Sequence, residues 1–167
     1  VAHSDPSSIS IFSSRFERCA SFLGGIGILV NSTSGTPDLT VTRTTVLARA
    51  NTVALQFRGG DFVADSSTFV ASTVVGDTAR SGIIGLPAVD VQSATSAQVY
   101  RNTIADFRRV RGLRLAATNS LQFGGNRITR NGSGFSYLGD GAGSPTAAIN
   151  TCTSCNTGRK TNGVFDN

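Results

Sequence analysis

Ala97-Gln-Val-Tyr-Arg-Asn-Thr-Ile104 and Leu121-Gln-Phe-Gly-Gly-Asn-Arg-Ile128 are two copies of one eight-residue pattern. The first, third and eighth positions are apolar or small, the second is polar, and the fifth to seventh are polar or glycine. Three earlier stretches align with them without gaps: Ile9 to Phe16 (ISIFSSRF), Leu39 to Val46 (LTVTRTTV) and Phe62 to Phe69 (FVADSSTF). Alternation with a period of two marks a strand that buries one face. The polar triplet then turns the chain before the next inward residue. The copies begin at residues 9, 39, 62, 97 and 121, a recurring unit of variable length. A solenoid accommodates such variation, because an insertion in one coil loops out of the stack.

A second strand follows in most copies: Ile26-Gly-Ile-Leu-Val30, Val53-Ala-Leu-Gln-Phe57, Val89-Asp-Val91 and Leu113-Arg-Leu115. Amphipathic runs with helix caps are almost absent. Stacking the copies turns sequence positions into ladders about 4.8 Å apart. One inward column is Phe16, Val46, Phe69, Ile104 and Ile128, and a second is Ile11, Val41, Ala64, Val99 and Phe123. Asn102 and Asn126 share a turn position, where asparagine tolerates a left-handed backbone and can bond along the stack. Their expected role is structural.

The passage Val99-Tyr-Arg-Asn-Thr-Ile104, Gly112-Leu-Arg-Leu115, Phe123-Gly-Gly-Asn-Arg-Ile-Thr-Arg-Asn131 and Gly134-Phe resembles the repeat of the pectate-lyase-like superfamily (the pectin-lyase fold). The resemblance implies an all-β, right-handed parallel β-helix of about five to six coils. It covers roughly residues 9 to 137, leaving residues 1–8 as an N-terminal tail and 138–167 as a C-terminal loop and partial last coil. It leaves function open, since lyases, hydrolases, epimerases, tailspikes and adhesins share the fold.

The chain has 167 residues, of which 39% are hydrophobic and only 15% charged, so Ser, Thr, Asn, Gln and Gly cover its surface. The net charge of +5 is almost all arginine, with Lys160 the single lysine. Arginine suits planar recognition of carboxylates and phosphates, although codon bias in a GC-rich genome is the plainer reading of the balance. No nucleic-acid motif accompanies the charge, which makes nucleic acid an unlikely partner. No stretch approaches the ~20 apolar residues of a membrane span. The sequence starts at Val1 and contains no Met or Trp, which reads as a mature secreted form or a piece of something longer. Neither end offers an amphipathic helix as a cap, and Thr161 to Asn167 read as the start of another strand. Exposed edges of this kind invite self-association, end to end or as a trimer.

Enzymes that share the resemblance act on polysaccharides. Lyases use an Arg or Lys as base with Asp or Glu holding calcium, and hydrolases use carboxylates about 5–10 Å apart. Aligning Val53, Val89 and Leu113 puts Ala54, Asp90 and Arg114 in one outward ladder, which makes Asp90 and Arg114 the catalytic candidates. A surface ion pair of small energetic value is the plainer reading. No two carboxylates are seen to share a column. Asp65 and Tyr100 share an outward column with Phe12 and Thr42, an arrangement that can grip a sugar ring by stacking and hydrogen bonding. Arg101, Arg108, Arg109, Arg111 and Arg114 crowd one coil and offer bidentate contacts to an anionic glycan. His3 is alone, so no Ser-His-Asp set forms. Cys152-Thr-Ser-Cys155 has CxxC spacing but lacks two further zinc ligands, so a local disulfide between Cys152 and Cys155 is expected, with Cys19 a small buried thiol.

These readings lead to an extracellular β-solenoid segment at a cell or virion surface, part of a fibre, adhesin or tailspike-like protein. It is expected to be structural, to bind a polysaccharide or cell-surface glycan, and to need no cofactor. The alternative is a polysaccharide lyase or epimerase acting on acidic glycans, with calcium as its cofactor.

Overall fold

The computed structural model of the chain describes residues 8–17, 26–31, 36–48, 53–71, 87–107, 111–129, 131, 133–139, 146–147, 151–153, 159–161 and 164–166. The elements are β1 (Ser8–Phe12), β2 (Arg15–Glu17), β3 (Ile26–Asn31), β4 (Asp38–Thr42), β5 (Thr45–Ala48) and β6 (Val53–Arg58). They continue with β7 (Asp61–Asp65), β8 (Thr68–Ala71), β9 (Val89–Tyr100), β10 (Thr103–Ala105), β11 (Arg111–Gly124) and β12 (Arg127–Thr129). The last are β13 (Ser133–Gly139), β14 (Thr146–Ala147), β15 (Thr151–Thr153), β16 (Arg159–Thr161) and β17 (Val164–Asp166). Among the described residues there is no helix, hence none long and apolar enough to cross a membrane.

The chain is all-β, with parallel strands in a curled sheet. Strands β1, β4, β7, β9, β11 and β13 lie side by side in that order, and β2, β5, β8, β10, β12 and β15 form a second sheet in the same succession. The chain therefore passes repeatedly from the first sheet to the second, with β3 and β6 added to the first sheet before β4 and β7. Strand β9 pairs with β6 through its first half and with β7 through its second, so the series β3–β6 merges into the first sheet. Among the described strands only β16 and β17 pair antiparallel, where the sequence reads as a single incipient strand.

The five aligned stretches stand in register. Ile9 pairs with Leu39, Leu39 with Phe62, Phe62 with Ala97 and Ala97 with Leu121. Phe16, Val46, Phe69, Ile104 and Ile128 follow one another across the second sheet. Cys152 takes the next place, opposite Ile128. Val41, Ala64, Val99, Val46, Phe69 and Ile104 are at most 1% exposed, and each of the larger side chains contributes about 1.5–3 kcal/mol by leaving water. The rings of Phe57 and Phe62 meet at 5.2 Å between centroids, within the range for a favourable aromatic pair.

The turn between the sheets differs from expectation by one residue. The left-handed position belongs to Ser13 (φ 47°), Arg43 (51°), Ser66 (52°), Arg101 (55°) and Gly125 (63°), and the asparagines stand one place later. Each of the four non-glycine residues pays a steric cost of about 1–2 kcal/mol there. The conformation is held by the neighbouring strand: the Ser66 N–H donates to Tyr100 O (3.0 Å) and the Arg101 N–H to Gly124 O (3.0 Å).

The next column is Ser14, Thr44, Ser67, Asn102 and Asn126, the last four buried. Its backbone amides donate one way along the stack. The Thr44 N–H donates to Ser67 Oγ (3.1 Å), the Ser67 N–H to Asn102 Oδ1 (2.9 Å) and the Asn102 N–H to Asn126 Oδ1 (3.0 Å). Asn102 Nδ2 also donates to Ala64 O (3.0 Å) and Asn126 Nδ2 to Val99 O (2.9 Å). Asn131 repeats the device at another turn, accepting from the Phe107 N–H and donating to Ile104 O, both at 3.0 Å. A buried amide of this kind meets backbone groups that the sheet ladders leave unpaired.

Candidate functional site

The outward face of the first sheet is built by alternate residues of β1, β4, β7 and β9. Phe12 pairs with Thr42, Thr42 with Asp65 and Asp65 with Tyr100, so these four form one row across the strands. Alternation turns them away from the core because Ile11, Val41, Ala64 and Val99 point inward. Phe12 is 61% exposed, the single exposed large hydrophobic residue among those described. Tyr100 Oη donates to Gln122 Oε1 at 3.4 Å, which fixes one end of its ring over the next strand.

Arg101 leaves the left-handed turn and reaches back one strand to Asp65, with Nε–Oδ1 at 2.9 Å and Nη2–Oδ2 at 2.5 Å. The two arms make a fork-on-fork contact. The Arg101 hydrogen bond holds the Asp65 carboxyl below its ordinary value of 3.8, its charge adding to the effect and partial burial opposing it. A carboxyl depressed by folding stabilises fully above its unfolded value and loses that contribution as pH falls through the folded one. We therefore expect a carboxyl NMR titration to place Asp65 below 3.8 and Arg101→Gln to raise it. The stability gap between parent and Arg101→Gln should be present at pH 7 and close as pH drops below the parent's Asp65 midpoint.

Arg43 makes the equivalent reach from the equivalent turn, but finds Phe12: its guanidinium carbon lies 5.5 Å from the ring centroid. This pairing was not legible beforehand. Nor was the placement of Asp38 and Asp61, which open β4 and β7. The Asp61 N–H donates to Asp38 Oδ1 (2.8 Å), Ser96 Oγ to Asp61 Oδ1 (2.6 Å) and Ser8 Oγ to Asp38 Oδ2 (3.4 Å). These two acids precede Leu39 and Phe62, the same place in two aligned stretches, so two carboxylates do share a column, contrary to the reading of the sequence. Among the described residues no group of three or more His, Cys, Asp or Glu gathers to hold a metal.

Asp90 and Arg114 do pair, in register across β9 and β11. Their surroundings correct the sequence reading twice. The third member of the row is Gln56, not Ala54. Asp90 is also 0% exposed rather than outward in solvent. Arg114 Nε lies 2.5 Å from Oδ1 and Nη2 2.7 Å from Oδ2, Gln56 Nε2 donates to Oδ2 at 3.4 Å, and Gln92 Nε2 donates to the same oxygen. Arg58 Nη2 in turn holds Gln92 Oε1 at 2.6 Å. The pair is a buried ionic network with the Arg114 side chain one-third exposed, a different object from a surface ion pair.

Of the remaining candidates, Arg111 occupies the register position opposite Ser133. Arg108, Arg109, Cys155, Cys19 and His3 lie outside the described residues, so the Cys152–Cys155 bridge does too. No family model, no curated protein and no solved structure matches the chain.

Proposed function

We propose that the chain is a segment of right-handed parallel β-helix that acts without catalysis, holding a glycan along the outward face of its first sheet as part of an extracellular fibre, adhesin or tailspike-like protein. The observation that carries this reading is the row Phe12, Thr42, Asp65 and Tyr100. Two aromatic side chains stand three strands apart, roughly 14 Å, with a hydroxyl and a carboxylate between them. An extended sugar chain crossing the strands meets apolar ring faces at both ends and hydrogen-bonding groups in the middle. The alternation of strands between two sheets and the single-residue columns support the β-helix. The lyase or epimerase alternative draws less support, because Asp90 has its oxygens taken up by Arg114, Gln56 and Gln92 and meets no solvent.

The test is a glycan-binding screen with the parent, Phe12→Ala and Tyr100→Ala. Each variant should weaken the bound glycan about tenfold while leaving the melting temperature unchanged. Binding that survives both substitutions would move the site off this face. Chain cleavage of any polysaccharide by the parent would restore the enzyme.

A further inference from the structure

The two arginines of the turn column perform the same reach and end in different company. Arg101 steps back to Asp65, the register partner of the residue that precedes it, and Arg43 steps back to Phe12 by the same relation. Against Asp65 the guanidinium is neutralised by a two-armed contact. Against Phe12 the guanidinium carbon lies over the ring, 5.5 Å from its centroid, and a ring offers none of the paired acceptor atoms that a carboxylate does. Arg43 is exposed, and its backbone N–H is already committed to Asp65 O at 3.1 Å. It also stands at φ 51°, a conformation that glycine would adopt without steric cost.

We infer that Arg43, stacked on Phe12, is the anion-recognition point of this face, and that the glycan it takes carries an oxyanion, a carboxylate or a sulfate, on the sugar at that end. The inference rests on the glycan-binding reading and narrows it from sugars in general to acidic ones. A guanidinium set against a ring keeps its N–H groups for another acceptor, and its planar fork matches an oxyanion with two hydrogen bonds. The Phe12 ring, 61% exposed, keeps ring surface open for the sugar's C–H groups. Thr42 supplies a hydroxyl on the adjoining strand. Arg101 cannot serve equally, since Asp65 already occupies its fork.

The experiment measures binding of alginate, dextran sulfate and neutral dextran oligosaccharides by titration calorimetry. The proteins are the parent, Arg43→Gly, Arg43→Lys and Arg127→Gln. Glycine suits the left-handed turn, so Arg43→Gly keeps the fold while removing the guanidinium. Arg127→Gln removes one exposed charge from the other sheet as a control for unspecific attraction. The expected result is binding of at least one acidic polymer, weakened tenfold or more in Arg43→Gly and Arg43→Lys and by less than twofold in Arg127→Gln. Whether alginate or dextran sulfate responds identifies carboxylate or sulfate. Equal losses in Arg127→Gln and Arg43→Gly, or dextran binding as tight as that of both acidic polymers, would overturn the inference and leave the glycan-binding reading intact. Binding of no polymer by the parent would remove both.

Discussion

Asn102→Ala is expected to be among the most destabilising substitutions on the described surface or core, lowering unfolding free energy by about 2–6 kcal/mol. Alanine strips the acceptor from the Ser67 N–H and the donor from Ala64 O, two backbone groups in a buried turn. Each orphaned group costs about 1–3 kcal/mol. The column itself supplies the control. Ser67 occupies the same position one strand earlier, accepting from the Thr44 N–H and donating to Val41 O at 3.3 Å. Asn102→Ser can repeat that pattern and should lose less than half as much as Asn102→Ala. Urea denaturation of the three proteins at pH 7 checks this. Equal losses for serine and alanine would mean that asparagine serves the turn by shape and not by its bonds.

The second large effect lies in the buried network. Arg114→Met leaves the Asp90 carboxylate with 0% exposure and only two amides as partners, and breaking a buried pair in this way costs about 3–5 kcal/mol. Asp90→Asn leaves the charge on Arg114, whose side chain still reaches water. It should cost about 1–2 kcal/mol, the price of weaker hydrogen bonds. Adding Asp90→Leu to Arg114→Met should recover most of the loss, because an apolar pair of similar volume is often neutral. Thermal melts of the four proteins settle the order. A double variant worse than Arg114→Met alone would show that Asp90 contributes something besides its pairing with Arg114.

Much of the architecture could be read from residues alone, for a physical reason. Ile9, Leu39, Phe62, Ala97 and Leu121 sit in register because the apolar first, third and eighth positions must all reach one core, and a slip of one residue would turn every side chain over. A slip of two keeps the faces and escapes detection. The pattern alone fits Val53 opposite Val89 as well as it fits Leu55, the partner that the sheet gives it. The burial of Asp90 had a signal too. Val53-Ala-Leu55 is apolar without interruption, the mark of a strand covered on both faces, and all three residues are at most 1% exposed. Strands β14 and β15 are faint in the sequence because they are two and three residues long, and the small Ala147 and Cys152 at the register positions opposite Phe123 and Ile128 carry little periodic signal. The left-handed conformation falls on Arg101 and Gly125, one residue before Asn102 and Asn126, because the asparagine side chains serve as acceptors along the column instead. The stack of Arg43 on Phe12 crosses two columns at once, and column-by-column alignment is blind to diagonals.

The turn column of Ser14, Thr44, Ser67, Asn102 and Asn126 has a direction. Every link has a backbone amide on the earlier strand giving to a side-chain oxygen on the later one. Because each of these amides is answered from the following strand, a change at one column position is felt one strand earlier, at a residue whose own identity is untouched: the loss of the Ser67 hydroxyl is registered at Thr44, and that of the Asn102 amide at Ser67.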